Sequence, residues 1–480
     1  MYDCLIIGCG ITGAALAYEL SRYELSVAVL EKENDVADGT TKANSAIIHA
    51  GYDPKPGTLM ARLNVEGAAL AKEICQKLDV PFQQIGSLVL AFDEADQKTI
   101  EKLYRQGKEN GVPGLELLDR EAVRSLEPNL SEEVVAALYA PSAGIVSPWE
   151  YALAMIETAV KNGVKLYREN RVESIERLSG GWRVTTNAGS YDTRTIFNAA
   201  GVHAADIHNL ALPEGFQILP DRGQYYLLDK SEGTRVGHVI FQCPTKVGKG
   251  VLVSPTVHGN LIVGPNAEEI EDGEDTATTG SGLEFVKKMA MRSVPSVQFR
   301  DSIRNFAGVR AVSDQEDFII GRASEGFYDL AGIKSPGLTA APATAKYIAQ
   351  LAGQNELTLK EKKEFTDSRR RVRFNELSTE EKNALIREDP RYGRVICRCE
   401  TVTEGEIVAS LHTPVPPCSV DGVKRRVNAG MGRCQGGFCG PRVLEIIARE
   451  MGISPKEVLQ DKAGSYILMD ETKTGGKNHG

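Results

Sequence analysis

The chain opens on an unbroken apolar run, "YDCLIIG" at residues 2–8, that ends in glycine. A run of that length with no polar alternation predicts a strand covered on both faces. "CGITGAALAYELSRY" follows with apolar positions at helical spacing, and "SVAVLEK" (26–32) is a second run of strand length. Short β-rich runs bounded by turn residues recur at "SLVLAF" (87–92), "GQYYLL" (223–228), "GVLVSPT" (250–256) and "GNLIVG" (259–264). Tyr225 and Tyr226 are adjacent on their strand, so only one of them faces any given side. "TIFNAAGVHA" (195–204) is a strand that runs into Ala-Ala-Gly. "LAGIKSPGLTAAPATAKYIAQLA" (330–352) is a glycine-rich turn entering a long helix of small residues. The pattern then becomes polar and lysine-rich over 353–395, which predicts solvated helices linking two domains. Beyond it lie two short helical runs, "EGEIVASL" and "PRVLEIIARE" (441–450), the first opened by Thr403 and Glu406 at capping-box spacing.

The turn between the first strand and helix is itself informative. Gly8, Gly10 and Gly13 form G-x-G-x-x-G, and Glu31 follows Gly8 by 23 positions, at the end of the second strand. The first glycine permits the tight turn, the second lets a pyrophosphate approach the backbone, and the third lets helix pack on strand. The helix N-terminus offers free N–H groups to phosphate, and an acid at the Glu31 position accepts bonds from ribose hydroxyls. Strand, turn, helix, strand and acid in this order predict a Rossmann-like α/β domain with a dinucleotide site. The motif does not distinguish FAD from NAD. Three stretches favour FAD: the small-residue segment "DGTTKANSAIIHAGYDPKPG" (38–57), the Ala-Ala-Gly turn, and the turn into the helix near 337. No second fingerprint is present for a separate NAD site.

Composition narrows the possibilities. The 480 residues are enough for two to four domains, and a net charge of −9 argues against a nucleic-acid partner. The basic run "SRRRVRF" (368–374) reads as a solvated face. No apolar stretch reaches membrane-spanning length, and "MYDCLIIGCGITG" does not read as a secretory leader. We therefore expect a cytoplasmic protein without direct membrane insertion, or one held at the membrane periphery by a partner subunit. In that compartment nine cysteines are reduced, and their odd number argues against a disulfide framework. Cys4, Cys9, Cys75 and Cys243 read as buried small apolar residues.

Residues 1–355 resemble the D-amino-acid-oxidase-type flavoprotein superfamily. The likeness is carried by "NSAIIHAGYDPKPGTLMARL", "RGQYYLL" (222–228), "VGPNAE" (263–268), "FAGVRA" (306–311) and "SPGLTAAP" (335–342). Within the superfamily the chain is similar to glycerol-3-phosphate dehydrogenases and to L-2-hydroxyglutarate dehydrogenases. The resemblance implies FAD-binding parts at about 1–80, 145–215 and 300–355, and an α+β substrate domain at about 81–144 and 216–299 that covers the flavin. The implied cofactor residues are Gly8, Gly10, Gly13, Glu31, Thr41, Asn44, Ser45, Val172, Ala200, Gly201, Gly332, Gly337, Leu338 and Thr339. It also implies hydride removal from the C–H beside a hydroxyl, and a small anionic 2-hydroxy substrate. His49 is the candidate base, because an imidazole titrates near working pH. Attachment of the flavin to this histidine is the other role open to it. Arg310 matches the superfamily arginine that holds substrate phosphate or carboxylate, and Arg222 is a second candidate; a guanidinium fork suits either anion. Lys334 is placed near the flavin or at the surface.

Four cysteines stand apart near the C-terminal end: Cys397 and Cys399 in "VICRCETVTEGE", Cys434 and Cys439 in "GMGRCQGGFCGP". Four thiolates suit zinc or an iron–sulfur cluster. The C-x-C spacing and the glycine-rich loop, which offers backbone N–H groups to sulfur, lean to the cluster. Cys418, flanked by prolines and serine, does not match a ligand position. The segment resembles the 2Fe–2S domain of bacterioferritin-associated ferredoxin, and more closely the C-terminal domain of the anaerobic glycerol-3-phosphate dehydrogenase large subunit. That likeness implies a small, mostly helical 2Fe–2S domain at 394–464 with these four ligands, a linker at 356–393 and a tail at 465–480. A flavin takes two electrons and such a cluster passes one at a time. The expected enzyme is thus an FAD-dependent dehydrogenase whose electrons leave for a partner flavoprotein or iron–sulfur subunit. Glycerol 3-phosphate is the expected substrate, with L-2-hydroxyglutarate or a related 2-hydroxy acid as the alternative.

Overall fold

A computed structural model of the protein describes residues 1–244 and 250–470. It divides into two compact units. The first comprises Met1–Lys32 and Val36–Arg370, and the second comprises Glu33–Asp35 with the chain from Arg371.

In the first unit, eight strands among the described residues form a sheet around Tyr2–Ile7. This strand pairs in parallel with Val27–Leu30 on one side and Gly189–Asn198 on the other, Ile6 standing opposite both Val29 and Phe197. Four of its six residues are buried, as the unbroken apolar run predicts. Helices Ile11–Leu20, Pro148–Lys161, Leu59–Lys77 and Gly337–Asn355 pack as a layer. Small residues explain the closeness of the last two: a Cβ on Gly67 would lie 2.1 Å from the Thr339 carbonyl oxygen.

The second sheet has nine strands among the described residues. Its spine is Ile218–Leu228, paired antiparallel along its length with Ser302–Ser313, with Gln224 opposite Ala307 and Asp221 opposite Arg310. The spine divides two hydrophobic clusters, Tyr225 entering one and Tyr226 packing against the other. Residues 302–313 therefore belong to this second sheet. The sequence reading had grouped them with the FAD-binding parts, but continuous pairing with 218–228 holds them here.

The polar segment after 353 also departs from expectation. Residues up to 370 belong to the first unit without forming a linker helix: the Lys360 carbonyl accepts from the Glu24 N–H at 2.7 Å, and Asp367 accepts from the Tyr18 hydroxyl. Arg369 of the basic run is not solvated, because its guanidinium meets Glu157 at 2.6 Å with both side chains nearly buried. Past residue 355 the segment forms one α-helix, Thr379–Glu388, opened by a Ser378–Glu381 capping box and flanked by 3-10 turns at Phe374–Glu376 and Pro390–Gly393.

The second unit is small and mostly helical. Strands Val395–Cys397 and Val402–Thr403 pair antiparallel, and helices Glu404–Leu411, Val420–Val427 and Gly440–Met451 enclose a core of Ile407, Val423, Ile447 and two of the cysteines. The Thr403–Glu406 capping box is present, with the Glu406 N–H donating to Thr403 Oγ1 at 3.3 Å and the Thr403 N–H to Glu406 Oε2 at 2.8 Å. Asp35, within this unit, is fully buried and receives both arms of Arg426 at 2.8 and 2.9 Å. The expected tail at 465–480 falls mainly in 471–480, outside the described residues.

Candidate functional site

The nucleotide cradle follows from three glycines at a strand end. Gly8 has φ +97°, and a Cβ there would lie 2.6 Å from the Ala199 carbonyl oxygen. A Cβ on Gly13 would lie 2.0 Å from the Gly8 carbonyl oxygen, so strand and helix touch through backbone alone. Gly10 is the N-cap of helix Ile11–Leu20 and has no side chain to occupy the helix mouth. Thr41 Oγ1 accepts the Ile11 N–H at 2.9 Å, and Glu31 Oε2 accepts the Cys9 N–H at 2.8 Å, fixing the buried acid beside the turn. Ala200 and Gly201 follow the parallel strand Gly189–Asn198, and Gly201 has φ +60° with open space where a Cβ would project. These residues sit at the carboxyl ends of parallel strands, where open α/β sheets bind ligands. Val172 begins the edge strand Val172–Leu178 and is half-buried. The emptied glycine positions and a helix mouth whose N-cap is a glycine without a side chain fit a dinucleotide.

A second constellation forms around His49. Its N–H donates to Thr339 Oγ1 at 2.9 Å, and its carbonyl accepts from Asn64 Nδ2 at 2.9 Å. Its ring stacks on Phe241 at 5.8 Å, with Nε2 3.2 Å from Ser335 Oγ. Ser335 and Thr339 bracket the start of helix Gly337–Asn355, so Gly337 and Leu338 are carried to the same place. Gly332 turns the chain toward it with φ +62°. Asn44 holds its own loop, donating to the Thr41 carbonyl at 2.8 Å and accepting the Ala46 N–H at 2.8 Å. Ser45 Oγ is 3.3 Å from the Tyr225 hydroxyl, so Tyr225 is the tyrosine of the pair that faces this region. Burial pushes the Tyr225 phenol up, the nearby charge of Arg310 opposing it. Ser335 and Phe241 were not foreseen as site residues: the first lies inside a quoted motif, and the second carries no local signal.

The two candidate cations differ. Arg310 stands opposite Asp221, donating from Nη2 to Asp221 Oδ1 at 2.8 Å and to the Asn266 carbonyl at 3.0 Å. Its side chain stays one-quarter exposed. Arg222 is 4% exposed and lies between Glu268 at 3.0 Å and Asp275 at 2.5 Å. Two carboxylates neutralise it, so in this structure Arg222 ties down the 268–275 segment. Lys334 is half-buried, with its N–H donating to the Gly332 carbonyl.

The four cysteines converge as two pairs. Cys399 and Cys434 have sulfurs 3.6 Å apart, and the Cys439 thiol donates to Cys397. That bond, with backbone N–H groups of Gly430 and Glu400, pulls the Cys397 thiol down to about 6 against the effect of burial; Cys439, which keeps the shared proton, is pushed up. Burial opposes ionisation of Cys434, but backbone N–H groups of the turn after it and the Cys399 thiol outweigh this and lower it. The Cys434 N–H favours a Cys399 thiolate, yet Cys399 is raised because it donates its own proton to Cys434. Among the described residues no three His, Cys, Asp or Glu side chains close on a single ion. Tetrahedral thiolates at ~2.3 Å from one metal stand roughly 3.8 Å apart, so each close pair suits one iron of a two-iron cluster. Cys418 is not among them, and its thiol donates to the Asn34 carbonyl within the second unit. Cys4, Cys9, Cys75 and Cys243 are buried, as expected.

Comparison with known proteins agrees with this geometry. The family described as FAD dependent oxidoreductase matches residues 3–351, and the BFD-like [2Fe-2S] binding domain matches 395–449. The chain is 51% identical to a glycerol 3-phosphate dehydrogenase of Caloramator mitchellensis over 477 residues, 99% of each chain. It is 33% identical to a human mitochondrial L-2-hydroxyglutarate dehydrogenase over 284 residues, 55% of this chain and 61% of that one. Among solved structures, dithionite-reduced L-alpha-glycerophosphate oxidase from Mycoplasma pneumoniae with FAD bound superposes with a TM-score of 0.73 at 33% identity, covering 76% of this chain and 98% of the other. No helix among the described residues is long and apolar enough to cross a membrane.

Proposed function

The chain belongs to the FAD dependent oxidoreductase family and carries a BFD-like [2Fe-2S] binding domain, and we propose that it oxidises glycerol 3-phosphate to dihydroxyacetone phosphate. The electrons then leave through the cluster to a partner protein. The observation that carries this reading is the 51% identity to a glycerol 3-phosphate dehydrogenase across both units at once, whereas the L-2-hydroxyglutarate dehydrogenases match at 27–33% identity over 55–73% of the chain.

The residues of the first unit divide the work. Gly8, Gly10, Gly13, Glu31 and Thr41 would hold the nucleotide end of FAD, and the 44–49 loop with the 335–339 turn would hold its flavin end. When bound, FAD supplies a two-electron hydride acceptor and the 2Fe–2S cluster a one-electron carrier. Arg310 would face the substrate phosphate with Nη1, the nitrogen that Asp221, Arg222 and Asn266 leave open. His49 receives the hydroxyl proton as the C–H beside it is lost; Phe241 and Thr339 hold the ring in place. Ser335, 3.2 Å from Nε2, fixes the direction in which the imidazole accepts.

An anaerobic titration tests this reading. The purified protein is mixed with glycerol 3-phosphate in one cell and L-2-hydroxyglutarate in another while the flavin absorption is followed. Bleaching by glycerol 3-phosphate alone is expected. Bleaching by the hydroxy acid alone would replace the substrate, and bleaching by neither would remove the dehydrogenase reading.

A further inference from the structure

The cysteine centre is not evenly wrapped. Cys397 and Cys439 are 1% and 2% exposed and belong to the hydrophobic core of the second unit. Cys399 is exposed and Cys434 half-buried, and their sulfurs lie 3.6 Å apart. One thiol pair thus faces the core and the other faces water, so an electron that leaves for another molecule has its shortest route through the Cys399–Cys434 edge.

The residues flanking that edge have an unusual composition for a solvent surface. Phe438, next to Cys439, is 85% exposed, more than any other aromatic among the described residues. Arg398 lies between two ligands and Arg433 precedes a third; both are exposed. Arg398 has no carboxylate partner among the described residues. Of the acids at 391–442, Glu404 is 2% exposed and paired with Arg394 and Arg449, Glu406 is consumed by the capping box, and Asp421 meets Lys424 at 3.8 Å; Glu400, next to Cys399, is half-buried with Oε1 against Gly432. Residues 391–442 contain eight Lys and Arg against four Asp and Glu, in a chain whose net charge is −9. An exposed aromatic and the unpaired guanidinium of Arg398, on the two loops that carry the cysteines, have the composition of an interface hot spot, and a single ring in water is otherwise a solubility liability.

We infer that the surface around Phe438 and Arg398 docks the electron acceptor, and that the acceptor is an acidic one-electron carrier protein presenting an apolar recess ringed by carboxylates. Each encounter removes one electron from the reduced cluster and reduces the acceptor by one, so two encounters clear the pair taken from one substrate molecule. This rests on the proposed exit of electrons through the cluster. Positive charge at the edge steers such a partner to it, and the ring gives the contact its apolar anchor.

The test uses the full-length holoprotein, reduced anaerobically with dithionite, so that it does not depend on which substrate the flavin accepts. Two haem proteins of opposite charge serve as probes: acidic cytochrome b5 and basic cytochrome c. Rates are followed by stopped flow and binding by titration of the resting protein with oxidised probe. The expected result is faster reduction of cytochrome b5, falling as salt rises, with rate and affinity reduced roughly tenfold or more in Phe438→Ala and in Arg398→Glu. Cytochrome c should be unaffected by Phe438→Ala and favoured by Arg398→Glu. The visible and paramagnetic spectra of the cluster certify each variant, and Phe438→Ser and Arg398→Gln stand in where a first variant loses the cluster. Unchanged b5 rates with intact spectra, or a preference of the parent protein for cytochrome c, would overturn the inference. So would loss of binding to phosphatidylglycerol vesicles in the same variants without loss of b5 binding, which would make the patch a membrane contact. Failure of glycerol 3-phosphate to bleach the flavin, by contrast, would strike only the substrate reading.

Discussion

His49 is held by Thr339, 290 positions further along the chain, and its ring lies on Phe241 from a different sheet strand. Cys397 is held by the amide of Glu400, three positions away, and its three companions come from two loops inside residues 397–439. The first centre is a property of a whole unit, since moving any of several strands moves the imidazole. The second is a property of two loops closed by one small core. Precise placement of a proton acceptor requires rigid neighbours on many sides, whereas cysteine ligands need little more than converging loops and backbone N–H groups.

The sharpest test of that contrast is Cys434→Ser. It should abolish the cluster's paramagnetic signal while flavin content and bleaching by glycerol 3-phosphate persist, because the contacts described for His49 and for the glycine turn lie within the first unit. Loss of flavin in this variant would show that the centres are not independently built. Next in size is His49→Ala, which should lower kcat/KM for glycerol 3-phosphate by about 10²–10⁴-fold with FAD still bound. A fall of less than ~10-fold would place the base elsewhere. Arg310→Lys keeps the charge but loses the fork, and should raise KM by roughly 10-fold while kcat changes little, since one charge-assisted hydrogen bond is worth ~1.5–3 kcal/mol. An equal loss for a neutral diol would mean that Arg310 shapes the pocket and does not hold phosphate.

The smallest effect concerns a long-range tie of the first unit. Glu274 meets Lys32, 242 positions earlier, and His203 Nε2 at 2.6 Å. Burial alone would raise its carboxyl, but bonds from Lys32 and His203 prevail and bring it down to about 2. A depressed carboxyl stabilises the fold above its unfolded value and loses that contribution as pH falls toward about 2. The Glu274 side chain is 46% exposed, so solvent screens the pair. Glu274→Gln should therefore cost only ~0.2–1 kcal/mol, a few degrees of Tm or less, at neutral pH. The gap between variant and parent should close as the melting buffer is taken from pH 5 toward 3. A gap that widened in acid would reverse the sign of the interaction.

Legibility in the sequence followed the same division. Gly8, Gly13 and Glu31 were readable because each role depends on a few neighbours: a positive φ, a backbone contact, a strand end. The Thr403–Glu406 cap and the four cysteines were readable for the same reason. The strand Ser302–Ser313 was recognisable as chemistry-bearing, but its membership of the second sheet was not, because pairing is chosen by the partner strand. The basic run at 368–374 read as solvated, yet Arg369 finds Glu157 across 212 positions.

The chain's order of residues thus determined by itself the dinucleotide turn, the cysteine module and the kinds of side chain available, because those features depend on local backbone geometry and short spacings. Which tyrosine of the pair 225–226 turns toward Ser45, and that Arg222 is neutralised by Glu268 and Asp275 while Arg310 stays partly open, only the tertiary structure decided. A charge is free or paired according to what the fold brings within about 4 Å of it, a distance that sequence separation does not encode.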